Sequence, residues 1–282
     1  MKKNNIILII LIFVFFFLLG VFFYSAIGEK ANLEPKIPIS TNTDPLNATY
    51  KIDGSPIPLK YGKYEEILTP DSTSKIKVDV FGEPIYADID GDGDTDASLY
   101  LTYNAGGSGT FFYLVAAIYN DGIYTGTDAI LLGDRISPQN INIQHGIIMA
   151  NFAERKNDEP MSTRPSMGKT IYSYIKDGNL IQIFINDKNE TLYFGNLVFG
   201  HESRTFTTCQ GDEYWLVGTN EYMSYIKDLY EKIILEREPY TPVFVVISGG
   251  IVPAPEDGFG ADFDYGFSPK EIIKTSLTYT CE

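Results

Sequence analysis

Histidine and cysteine are scarce: the 282 residues hold two of each, His145, His201, Cys209 and Cys281. Neither histidine has a cysteine or a second histidine near it in sequence, so no transition-metal spacing is present and both are expected to be ordinary surface residues. There is no C-x-x-C, which removes a dithiol redox role. G-x-S-x-G and H-E-x-x-H are also missing. The Gly-rich stretch from Gly106 to Thr110 lacks the Gly-Lys-Ser/Thr of a phosphate loop and reads as a tight turn. No repeat of propeller or solenoid period occurs. Positive charge is short as well, with 22 Lys and Arg against 37 Asp and Glu and a formal net charge of −15. Such a surface repels phosphate backbones and anionic lipid, so nucleic acid is not an expected partner, whereas cations are.

What is present begins with an apolar run. Residues 6–24 read IILIILIFVFFFLLGVFFY, preceded by Lys2 and Lys3. As a helix at about 1.5 Å per residue the run spans about 29 Å, close to the hydrocarbon thickness of a bilayer. It is longer than the apolar core of a secretory signal, and Tyr24-Ser25-Ala26 is a mediocre cleavage site. No cysteine precedes Cys209, so there is no lipobox. Residues 1–27 are therefore expected to be a transmembrane helix or a cleaved signal. The flanking lysines place the N-terminus inside and the bulk of the chain extracytoplasmic. The expected location is a bacterial membrane, with secretion as the alternative. Residues 28–47 carry three prolines and read as a linker.

Beyond residue 48 the pattern is mainly β. Hydrophobic residues make up 44% and charged residues 21% of the chain, which is globular composition; the 20 Tyr and 18 Phe favour strands. Strands are predicted at 48–52, 75–81, 97–103, 111–119, 129–132, 141–144, 147–152, 170–175, 180–185 and 191–199. Asn120-Asp121-Gly122 and Asp177-Gly178-Asn179 read as hairpin turns, and 153–168 as a long surface loop. One segment has helical period: between 221 and 235, apolar residues recur at Tyr222, Tyr225, Ile226, Leu229, Tyr230, Ile233 and Ile234. Residues 243–247 (VFVVI) read as a buried strand and Gly249-Gly250 as a turn. These signals divide the chain into a β-rich domain, 48–199, and a second domain, 200–282.

The sharpest local motif is Asp88-Ile-Asp90-Gly-Asp92-Gly-Asp94-Thr-Asp96. Its spacing is that of oxygen ligands in a calcium loop. Side chains at positions 1, 3 and 5 converge on the ion, position 7 offers its carbonyl and position 9 ligates directly or through water, with Gly93 at the sharp turn. Position 12 is Leu99, where an EF-hand has a bidentate Glu, and the flanks read as strands. The expectation is a strand-loop-strand calcium site of weak affinity, about 10⁻⁴–10⁻³ M, similar to the loops of FG-GAP-type repeats. A solvated acidic turn is the alternative.

Cys209 and Cys281 bracket the second domain. In an exported chain they are expected to form a disulfide, two free thiols being the alternative. The sequence Gly133-Asp134-Arg135 offers a local charge pair. Carboxylate catalysis on glycans would have to draw on the acidic loop or on Asp134, Glu154 and Asp158, whose partners need only meet in space.

Two resemblances extend this reading. YKIDGSPIPL, SKIKVDVFGEP, DIDGDGDTDASLYLT, GGSGTFFYLVAAI, DAILLGDRISPQ and NFAERKNDEPMSTRPSMGK resemble a family of uncharacterised bacterial envelope proteins, which implies no activity. SRTFTTC, EYWLVG, the helix near DLYEKI, PYTPVFVVISG and Cys281 resemble the C-terminal OB domain of the NlpE envelope-stress lipoproteins. That implies an OB-like barrel with one helix. This chain lacks their lipidated cysteine and N-terminal C-x-x-C, so copper or surface sensing does not carry over. The expected function is a membrane-tethered binding or structural protein of the envelope, calcium-stabilised, with an envelope protein or a glycan as partner. The alternatives are a glycan hydrolase, and an inhibitor or sensor docking on another envelope protein.

Overall fold

A computed structural model of the chain describes residues 43–68, 74–185 and 191–281. The expected membrane segment and most of the linker lie outside these residues. Among the described residues no helix is long and apolar enough to cross a membrane.

The first layers are antiparallel sheets. A hairpin of β1 (Thr49–Ile52) and β2 (Ser55–Pro58) precedes a six-stranded sheet. That sheet runs β3 (Lys63–Ile67), β4 (Lys75–Ala87), β5 (Asp96–Asn104), β6 (Phe111–Asn120) and β7 (Ile123–Gly126), and β8 (Ile130–Asp134) also pairs with β6. A four-stranded sheet follows, from β9 (Ser137–Gln144), β10 (Ile147–Glu154), β11 (Met167–Lys176) and β12 (Asn179–Ile183), in the order β12-β11-β10-β9. The two predicted hairpin turns are present: Asp121 and Gly122, like Asp177 and Gly178, all have positive φ, the conformation of the tight turns that match strand twist.

Period-two alternation explains the stacking. On β5, Ala97, Leu99 and Leu101 face the β1–β2 hairpin in one core with Tyr50, Ile52 and Ile57. Tyr100 faces the other way, with Phe112 and Leu114 of β6, into a second core against Ile148, Ala150 and Phe152 of β10. Both faces of β5 and β6 are covered, hence their near-continuous apolar sequence. The Tyr100 hydroxyl donates to the Asn140 and Asn151 carbonyls across the second core, at 2.9 and 3.1 Å. The four-stranded sheet in turn is covered on both sides, because Ile147 and Ile183 pack with Leu192, Phe244 and Val246 of the next layer.

That layer is a closed barrel of β13 (Thr191–Phe199), β14 (Arg204–Thr208), β15 (Glu213–Leu216), β16 (Val243–Pro253) and β17 (Tyr265–Ser276), in the order β13-β14-β15-β17-β16. The β15–β17 pair is parallel. Val243, Val245 and Ile247 point into the barrel with Phe206 and Phe267, while Phe244 and Val246 point out to the sheet. The helix α1 (Asn220–Ile233) lies between β15 and β16 in sequence and buries Met223, Ile226 and Tyr230. The Thr219 hydroxyl caps it by accepting from the Tyr222 N–H. Cys209 and Cys281 are bonded, with 4.8 Å between their Cα atoms.

Two expectations are corrected. The barrel's first strand is Thr191–Phe199, so the barrel begins ahead of residue 200, where the sequence pattern puts the boundary. Gly249-Gly250 is no turn, for β16 runs through it to Pro253. A Cβ on Gly249 would lie 2.5 Å from the Ser268 carbonyl oxygen and 2.7 Å from the Phe267 ring, so glycine there permits a close strand approach at a bulge.

Candidate metal site at the loop and barrel junction

The acidic motif joins β4 to β5, as expected for a strand-loop-strand site. Its backbone is held by its own carboxylates. Asp88 Oδ1 accepts from the Gly91 N–H at 2.7 Å, Asp90 Oδ1 from Asp92 at 3.1 Å, and Asp92 Oδ1 from Asp94 at 2.8 Å. Asp96 is wholly buried and does more. Its Oδ2 accepts from the Ile89 and Asp90 N–H groups, and its Oδ1 from Tyr119 on β6 at 2.8 Å. One carboxylate thus clasps both ends of the loop to the neighbouring strand.

Asp88, Asp90 and Asp96 each offer an oxygen within 4.8 Å of the others. Asp92 and Asp94 do not join this group; both are exposed. Of the five expected residues, the structure brings three carboxylates together; Asp92 and Asp94 point to solvent instead. Burial raises the pKa of Asp90 and of Asp96 above the ordinary value. Their carboxylate neighbours push the same way, and the donated N–H groups oppose it.

The barrel supplies the facing groups. Lys274 of β17 donates to the Ile89 carbonyl oxygen at 3.4 Å and to the Tyr279 hydroxyl at 3.1 Å. Burial lowers its pKa, and Asp88, Asp90 and Asp96 act through space to restore it. Gly91 lies beneath the Tyr279 hydroxyl, where a Cβ would approach to 2.9 Å. The β9–β10 turn closes the junction. Gly146 has φ of 76°, and a Cβ there would meet the Lys274 ammonium and the Ile89 carbonyl.

His145, expected at the surface, is instead part of this junction. Its ring packs on Phe244, Phe194 and Tyr279 at centroid distances of 4.5, 5.8 and 5.7 Å. Burial, then the Lys274 charge, lowers its pKa. His201 is exposed, as expected. Nothing local to the motif marks Lys274, Tyr279 or His145. The one signal is indirect: Cys281 ties down the segment that carries the first two.

Among the described residues Asp134, Glu154 and Asp158 form no such cluster. Asp134 pairs with Arg135 at 2.6 Å and accepts from the Thr110 N–H, and Arg135 holds its pKa below the usual range. Glu154 pairs with Lys169 at 3.2 Å, and Asp158 is exposed. No protein-family model, curated protein or solved structure matches the chain, so its function is argued from this geometry.

Proposed function

We propose that the chain is a membrane-tethered, extracytoplasmic binding or structural protein of a bacterial envelope, with calcium ordering the acidic loop against the barrel. The observation that carries the calcium part is the convergence of Asp88, Asp90 and Asp96 opposite the Lys274 ammonium; the tether rests on the apolar run at 6–24. Three carboxylates against one lysine leave negative charge in a half-buried place, and a divalent cation with oxygen ligands offsets it. In this role calcium neutralises and orders and performs no chemistry. The barrel order 1-2-3-5-4, with the helix between the third and fourth strands, supports the OB-type reading of the second region.

The test is thermal unfolding of the full chain in chelator and in about 1–5 mM calcium, the range set by the weak-site affinity class. A rise in the midpoint with calcium, absent in Asp88→Asn, supports the reading. An unchanged midpoint overturns it. The mass of the protein recovered from a membrane fraction separates a retained anchor from a cleaved signal.

A further inference from the structure

The strand that carries Lys274 to the acidic loop also borders a groove. About 590 Å³ in volume, it lies between the end of β11, α1 and residues 270–275 of β17. A second hollow of about 490 Å³ lies on Thr219, Glu221 and the same two tyrosines. The two tyrosine rings stack, with centroids 5.7 Å apart and planes 18° from parallel. Helical period puts Tyr225 in the apolar stripe, yet it is 52% exposed, which leaves an aromatic face open to the groove.

The charge of the groove runs against that of the chain. Lys176 and Lys270 line it with one acid, Glu271, in a protein where 37 acidic residues outnumber 22 basic ones; Lys274 also borders it but turns its ammonium to the acidic loop. Lys176 and Lys270 are exposed. Lys176 has no ion pair among the described residues. A flat aromatic face packs on the C–H face of a sugar ring, and the polar groups around it satisfy hydroxyls. Ammonium groups beside such a platform select an acidic ring over a neutral one. Tyr225 is open to solvent, so a ring on it can belong to a longer chain.

We propose that this groove binds an anionic oligosaccharide, with a sugar ring on Tyr225 and a sugar carboxylate at Lys176. The site is separate from the acidic loop and does not depend on calcium. The experiment is calorimetric titration of the full chain with tetragalacturonate, and with cellotetraose as the neutral control. Both are run in chelator, so that uronate cannot bridge through a metal. The expected result is saturable binding of tetragalacturonate, weaker binding of cellotetraose, and a loss of about tenfold or more in Tyr225→Ala and in Lys176→Glu, with thermal midpoints held. No saturable binding, equal affinity for the neutral chain, or full affinity in both variants would overturn the proposal.

Discussion

Two sites lean on β17 and use their polar atoms in opposite ways. In the acidic loop, Asp96 is fully buried, its oxygens accept three backbone N–H groups, and Lys274 and Tyr279 close over Ile89 and Gly91. In the tyrosine groove, Lys176 and Tyr225 stand in solvent. The first arrangement uses much of its hydrogen-bonding capacity in holding the fold together. The second keeps that capacity for something else. A cluster of charge is therefore not more functional for being denser, because much of the density in the loop is structural.

Substitutions should break this contrast unequally. Removing the disulfide with Cys281→Ser frees the segment that carries Tyr279 and is expected to cost about 4 kcal/mol, read from urea midpoints under oxidising conditions. Asp96→Ala orphans three backbone donors, one buried and two part-buried, and the expected loss is about 3 kcal/mol by the same measurement. A smaller effect comes from His145. Its folded pKa lies below the ordinary 6.5, so the unfolded chain takes up the proton first. Stability should be fully present above about pH 6.5 and decline as the pH falls from there toward the lowered value. His145→Phe should flatten the thermal midpoint between pH 7.5 and 5.5; an unchanged slope would locate the pH response elsewhere. On the groove side, Tyr225→Ala should change stability by under about 0.5 kcal/mol, which thermal unfolding can check.

Much of the fold is legible in the sequence wherever local pattern and tertiary environment agree. Alternation along 97–103 and 111–119 marks β5 and β6, the Asp-Gly pairs mark two hairpins, and the apolar stripe marks α1. The segment Ser55–Pro58 escapes because it carries two prolines, which only a short edge pairing tolerates. Gly249-Gly250 misleads for a related reason: close strand packing and a turn both favour glycine, and only the partner strand distinguishes them. In the site, the motif spacing locates the loop, while which of its carboxylates converge depends on the folded path of the loop, which spacing does not encode. Lys274 and His145 are invisible because their roles come from neighbours far away in sequence, 185 residues in the case of Lys274 and Ile89.

That separation bears on how the protein is made. The acidic loop leaves the ribosome long before the groups that complete it. Lys274, Tyr279 and Cys281 follow roughly 180 residues later, and at about 5–20 residues per second the delay is on the order of ten to forty seconds. Through that interval the carboxylates have neither the lysine nor the tyrosine cover, and until β16 is made the sheet's Ile147 and Ile183 lack Phe244 and Val246, which help bury them. The stacked sheets must therefore wait, half-finished, for the barrel to form and its cysteines to pair. A nascent chain stalled before β16 would expose both the acidic loop and an apolar sheet face, which makes it a substrate for chaperones and proteases rather than a smaller version of the same protein.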